Sequence, residues 1–308
     1  MLDKTQVSEH FKALQDRICA ALETEDGGRF KEDLWTRAEG GGGRTRILEG
    51  QKIEKGGVLY SAVHGPMPQK IADKLGLPRA EFYATGVSIV LHPHNPHVPI
   101  IHMNVRYFEM DNGTWWFGGG IDLTPHYVHP ADAQFFHQQL KATCDRFDPS
   151  FYPKFKTWAD DYFYLKHRQE TRGVGGIFFD RLSANTGYTQ EQLLDYAVAV
   201  GDTFAPTYTH FLRQYADKPF TEAHRRWQCL RRGRYVEFNL VWDKGTKFGL
   251  DTNGRTESIL MSMPPEAQWT YDYRAPAGSA EAETLGLLRK GIDWVNGGTL
   301  VETPSLKG

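Results

Sequence analysis

Apolar positions recur at helical spacing from Val7 to Leu22 (Phe11, Leu14, Ile18, Leu22), with charged residues between them. This predicts an amphipathic helix. The pattern then shortens. Phe30 to Arg37 and Thr45 to Glu49 are strand-like, separated by Glu39-Gly40-Gly41-Gly42-Gly43-Arg44. That glycine run lacks the Gly-Lys-Ser/Thr ending of a phosphate loop and reads as a flexible loop able to close over a ligand. Gly57 to Val63 is a strand, and Pro68 to Leu77 a short helix stopped by Gly76 and Pro78. Glu81 to His92 is a further strand in which Ser88, Val90 and His92 share one parity. His102 to Glu109 alternates, so that His102, Asn104 and Arg106 face one way and Met103, Val105 and Tyr107 the other. Asp111-Asn112-Gly113 is a hairpin turn, and Trp115 to Asp122 returns through three glycines. Three strands with short links predict an antiparallel meander, with its register left open.

Helical periodicity resumes at Pro130 through Phe147 and again from Tyr152 to His167. Gly173 to Phe179 is a strand entered through glycines. Thr189 to Tyr215 is a long helix with a capping-box start, Thr189 then Gln192. Thr221 to Arg232 is a basic helix. Arg234 to Trp242 alternates like a strand, turns at Asp243-Lys244-Gly245 and returns over Lys247 to Leu250. Asn253-Gly254-Arg255 is another turn, Glu257 to Met263 is apolar, and Glu281 to Val295 is a closing helix. The simplest architecture is one α+β domain over residues 1–308 with a large antiparallel sheet.

Composition narrows the function classes. Hydrophobic residues make up 40% of the 308 and aromatics 13%, which is a globular chain rich in rings. A net charge of -2 argues against non-specific binding to nucleic acid or anionic membrane. No apolar run approaches a membrane span. The polar start, Met1-Leu2-Asp3-Lys4-Thr5, is unlike a signal peptide and predicts a cytoplasmic protein. Cys19, Cys144 and Cys229 are odd in number and widely spaced, so neither a zinc ribbon nor a disulfide framework is expected.

Histidines concentrate before residue 170: His92, His94, His97, His102, His126, His129, His137 and His167. Imidazole is a common metal ligand, yet no pair stands at the helical spacing of a metal motif, and structural hydrogen-bonded histidines are the simpler account. Arg106, Arg172 and Arg255 are placed to capture carboxylate or phosphate, the first inside a strand and the others beside glycines. Asp122 is equally a general base, an orienting acceptor or a turn cap. No nucleophile elbow or triad is present. The residues by themselves indicate an enzyme or binding protein for a polyanionic, carboxylated ligand, with a metal-dependent hydrolase as a weaker reading.

Several segments, in order over nearly the whole chain, resemble the oxygen-dependent coproporphyrinogen-III oxidase family. They are Gly86 to Pro93, His102 to Arg106, Trp116 to Pro125, Asp161 to Arg168, Arg172 to Asp180, Gly233 to Leu240 and Gly254 to Ser262. The resemblance implies a flat sheet of roughly seven antiparallel strands covered by helices on both faces, and a homodimer. It implies oxidative decarboxylation of two propionates of coproporphyrinogen III to vinyl groups, with O2 consumed and protoporphyrinogen IX, CO2 and H2O2 released. No organic cofactor is implied. Arg106 would bind a propionate, with Asn104 and Val105 lining the site. Asp122 would hold the pyrrole N–H groups, and His102 would donate protons. Ser88 and the turn Asn253, Gly254 and Arg255 would add substrate contacts. Bacterial members are credited with a divalent metal, manganese or similar, on four histidines, here His92, His102, His137 and His167, while other members work without one. A metal-bound His102 would not exchange protons freely. Asn253 stands where the family pattern has Gly, and Arg181 where it has a second acid. A non-catalytic porphyrin or haem carrier would use the same arginines and aromatics.

Overall fold

A computed structural model of the chain describes residues 2–67, 72–73, 80–251 and 254–300. The helix expected over Pro68 to Leu77 falls almost wholly outside them, as does Asn253.

Helix α1 (Lys4–Asp26) begins with a capping box between Asp3 and Gln6 and ends at Gly27, whose φ of 83° suits a left-handed cap. Its buried stripe is Val7, Phe11, Leu14, Ile18 and Leu22, the spacing read from the sequence. Six strands follow: β1 (Lys31–Thr36), β2 (Gly41–Leu48), β3 (Ile53–Pro66), β4 (Glu81–Pro93), β5 (Ile100–Met110) and β6 (Trp115–Thr124). Helices α2 (Pro130–Asp145) and α3 (Phe151–Tyr162) come next, then a short ladder of β7 (Tyr164–Leu165) with β8 (Glu170–Thr171). Strand β9 (Gly175–Leu182) joins the sheet beside β6, giving seven antiparallel strands in the order β1-β2-β3-β4-β5-β6-β9. The meander is thus confirmed and extended.

One sheet face carries Val87, Ile89, Leu91, Met103, Val105 and Tyr107, all buried in the main core with α1, α2, α3 and α4 (Gln190–Tyr215). Helix α4 starts with the Thr189–Gln192 capping box. The opposite face meets α5 (Glu222–Glu237), a π-helical turn over Phe238–Trp242, α6 (Lys244–Asp251) and α7 (Thr256–Leu260). There Tyr235 clusters with Val90 and Ile100. The α+β class with helices on both faces follows.

Four expectations are corrected. The glycine run is strand, not loop: Gly41, Gly42 and Gly43 pair in β2, and Gly43 lies against the Trp35 indole, where a Cβ would come within 2.3 Å. Arg234 to Trp242 is helix and π-turn, not strand. Trp227, Arg231, Tyr235 and Phe238 form its buried helical stripe. Because one of its turns buries two arginines, Arg231 and Arg232, paired to Glu170 and Glu54, the hydrophobic pattern hides that stripe. Lys247 to Leu250 belongs to α6. The closing helix, α8 (Ala280–Leu287), stops short of Val295: Leu288 leaves helical geometry at a ψ of 64°, and Trp294 folds back into the core.

Candidate active site

Strand register decides what meets on the open sheet face. Residues directly opposite each other share a face, and the pairs His102↔Asp122, Asn104↔Gly120 and Arg106↔Gly118 align the two arms of the β5–β6 hairpin. The row through Arg106 continues as Gly118, Arg106, Gly86, Ser61, Gly43 and Trp35 across six strands. The next row places Ser88 beside Asn104 and Phe178 beside Gly120. Glycine and serine at these positions leave the backbone nearly bare. Ser61, Gly86, Ser88, Asn104 and Arg106 are partly open to solvent. The result is a low floor with one arginine rising from it.

Beside the floor lies a sealed charge relay. His102 Nδ1 donates to Asp122 Oδ1 at 2.8 Å. Arg172 Nη2 donates to both Asp122 oxygens at 2.8 and 2.9 Å, and Arg172 Nη1 to Asn239 Oδ1 at 2.8 Å. The rings of Phe163, Tyr235 and Phe238 surround the Arg172 guanidinium at 4.5 to 4.7 Å. Burial opposes charge on Asp122, but Arg172 and the His102 hydrogen bond outweigh it and hold the carboxyl below the ordinary range. Asp122 is therefore a buried anion, 1% exposed, while His102 is 23% exposed. With Nδ1 committed to the carboxylate, Nε2 is the His102 nitrogen that can exchange a proton with a ligand.

Arg106 is held from two sides, by Asn104 Oδ1 and by Asp180 Oδ1, each at 2.8 Å. At the far end of the same face Arg255 pairs with Asp33 of β1 and sits over the Trp35 ring at 5.7 Å. A cavity of about 330 Å³ lies there, lined by Asp33, Lys55, Arg255, Ser258 and Met261 among others. Four strand spacings, about 19 Å, separate the β-strands to which the two arginines are tied.

His102, Asn104, Arg106 and Ser88 are thus brought together, and Arg255 with Gly254 frames the opposite end. Two expectations do not hold in their simple form. The Val105 side chain is fully buried in the core on the other face. Arg172, expected to touch ligand, has its donors spent on Asp122 and Asn239 inside an aromatic sleeve. Its place is beneath Asp122.

The four histidines considered for a metal do not converge. His92 is buried with Nε2 donating to the Ser262 carbonyl at 2.9 Å. His137 lies on α2, on the other side of the sheet, with Nε2 on the Val174 carbonyl and Nδ1 accepting from the Tyr152 hydroxyl. Trp242 donates to His167 Nδ1, so His167 Nε2 carries the proton given to Glu237. Among the described residues no three His, Cys, Asp or Glu side chains are grouped to hold a metal ion. This donor set does not fit a four-histidine centre.

Sequence reasoning passed over Phe163, Tyr235, Phe238 and Asn239, the sleeve and its amide, although the helical recurrence of Trp227, Arg231, Tyr235 and Phe238 was available to find part of it. It also passed over Asp243, whose carboxylate accepts from Tyr162 at 2.7 Å and from Thr246.

The family model described as coproporphyrinogen III oxidase matches residues 6–294. The chain belongs to the coproporphyrinogen III oxidase family. Coproporphyrinogen-III oxidase 1, chloroplastic, of Arabidopsis thaliana is 48% identical over 302 residues, covering 92% of this chain and 77% of that protein. The oxygen-dependent coproporphyrinogen-III oxidase, chloroplastic, of Glycine max is 46% identical over 309 residues, covering 95% of this chain and 80% of that one. No helix among the described residues is long and apolar enough to cross a membrane.

Proposed function

We propose that this chain, acting as one domain, is an oxygen-dependent coproporphyrinogen-III oxidase that converts two propionates of coproporphyrinogen III to vinyl groups in porphyrin biosynthesis. Each step takes one propionate, one O2 and one proton to one vinyl group, CO2 and H2O2. Two electrons leave with the hydrogen of the carbon next to the ring and reduce O2, while the bond to the carboxylate breaks. The observation that carries this reading is the bare floor bounded by Arg106 and the His102–Asp122–Arg172 relay.

In this reading Arg106 holds a propionate by charge-assisted hydrogen bonds, with Asn104 and Ser88 beside it. Gly254 and Arg255 receive a second carboxylate arm, as Asn253 would from the same turn. His102 supplies the proton that peroxide formation requires. Asp122 is sealed and ionised, so it acts on the pyrrole N–H groups as a fixed negative charge and through His102, rather than by accepting a proton. O2 is the co-substrate, and the scheme uses no organic cofactor. The buried thiols of Cys19, Cys144 and Cys229 suit a reducing compartment such as the cytoplasm. The reading extends to a homodimer, which would have the exposed side chains Leu34, Leu240 and Val241 to cover. Sedimentation at micromolar concentration tests that assembly.

The deciding experiment adds coproporphyrinogen III to purified protein and follows O2 uptake with CO2 release. Stoichiometric consumption of both supports the oxidase. Tight binding with no O2 uptake would leave a porphyrin carrier instead.

A further inference from the structure

Strand β9 is irregular at one point. Phe179 pairs with Gly119 and Leu182 with Phe117, so Asp180 and Arg181 together oppose the single residue Gly118. This is a β-bulge, and it shifts the facing of the residues that follow it. Arg181 takes a φ of 53°, left-handed for a non-glycine residue. Its strain is local to the bulge, and its guanidinium lies 6.0 Å from the Trp116 ring. Asp180 lies on the open face, as alternation from Phe178 requires, and its carboxylate accepts from Arg106 Nη2 at 2.8 Å; the bulge beyond it returns Leu182 to the core side, opposite Phe117. Gly118 completes the arrangement. A Cβ there would lie 2.6 Å from Asp180 Oδ1 and 2.9 Å from Arg106 Nε and Nη2, so a side chain at this position would displace one of these two groups.

Two features thus serve one contact: the strand alternation that sets Asp180 opposite Gly118, and the bare glycine between Asp180 and Arg106. The contact contributes little to stability, because both side chains are about one-third exposed. Its effect is on orientation. An unrestrained arginine samples many rotamers, and fixing them ahead of binding lowers the cost of capturing a ligand carboxylate. Asn104 restrains Nη1 and Asp180 restrains Nη2.

Building on the oxidase reading, we propose that Asp180 is a positioning residue that pre-orients Arg106 for a substrate propionate. It acts through Arg106 and does not touch the reacting atoms. Asp180 stays bound while the ligand carboxylate takes other N–H donors of the same guanidinium, which has five.

The test measures kcat and KM with coproporphyrinogen III, and Kd by fluorescence with the oxidised porphyrin that bears the same four propionates. Asp180→Ala is expected to raise KM and Kd about five-fold, with kcat little changed. Asp180→Asn recovers most of the loss, since its amide oxygen still accepts from Nη2. In an Arg106→Ala background Asp180→Ala has no further effect on Kd. Gly118→Ala, which separates the two groups without removing either, weakens binding in the same way and serves if Asp180→Ala does not fold. Unchanged or tighter binding by Asp180→Ala, or an additive effect in the Arg106→Ala background, overturns the proposal. Wild-type turnover is measured first: if it is absent the oxidase reading falls, whereas active wild type with indifferent Asp180 variants removes only the role of Asp180.

Discussion

At the scale of single residues, the decisive pair is Asp122 and Arg172. Both are buried, and each is compensated chiefly by the other. Removing one charge strands its partner, which costs on the order of 3–5 kcal/mol in a buried pair. Asp122→Asn should therefore lower unfolding free energy by roughly that amount in urea titration, and the double variant Asp122→Asn/Arg172→Met should regain much of it without regaining turnover. Single and double variants of equal stability would show that the pair is not the buried unit described. His102→Gln, by contrast, sits at the rim and should fold normally while losing most turnover. The shared face of His102, Asn104 and Arg106 was legible from strand parity alone, since a period of two allows no other arrangement in a regular strand. The meeting of His102 with Asp122 was not, because alternation is silent about register. Arg172 was legible as an arginine beside glycines and was misplaced for a physical reason: sequence cannot tell an arginine aimed at a ligand from one neutralised by a buried aspartate.

At the scale of elements, the π-helical turn over 238–242 is the support of the relay. It extends α5 and carries Phe238 and Asn239 against Arg172. Glu237, at its start, accepts from His167, Arg168, Arg234 and Trp269. Burial disfavours its charge, but these donors, Arg168 first, bring its pKa down to about 2. Glu237→Gln should cost about 1–3 kcal/mol and speed amide exchange through residues 238–243. Unaltered exchange there would mean the turn is held by its apolar contacts alone. This element was the one most thoroughly misread as strand. Tyr235, Glu237 and Asn239 alternate with Val236, Phe238 and Leu240, and that short run satisfies either period. Long helices with clean caps, such as α1 and α4, and the Asp111–Gly113 hairpin were legible because capping and turn chemistry are local. The glycine half of β2, Gly41 to Gly43, was illegible because its pairing comes from neighbours on both sides rather than from its own residues, whereas Thr45 to Leu48 was legible as strand.

At the scale of the whole molecule, acid sensitivity follows from three imidazoles sealed in the neutral form. Burial brings His92 and His137 down to about 3 and lowers His126 well below its usual value, with Arg232 adding to the shift at His92 and His126. Above about pH 6.5 these groups are neutral in both folded and unfolded chains, and their contribution is fully present. As pH falls below 6.5 the unfolded chain takes up protons that the folded one refuses, so stability is lost progressively toward pH 3, by up to about 1.4 kcal/mol per pH unit for each group. Urea midpoints at pH 7.5 and pH 5.5 test this; equal midpoints would contradict it. Two of the three, His92 and His137, belonged to the metal set that the resemblance implied, since a buried neutral imidazole and a metal-binding one look alike in a sequence. The sheet, its helices and the general region of the site were legible over the whole chain, whereas the seal around that site was not. That seal has a consequence for synthesis. The six-strand meander is complete by Thr124 and β9 by Leu182, but the rings that enclose Arg172 come from positions 163, 235 and 238. A ribosome-bound chain interrupted near residue 220 would own every strand of the floor and lack two walls of the sleeve. Such a fragment would leave the Asp122–Arg172 pair open to water, so the sealed pair forms only after most of the protein has been made.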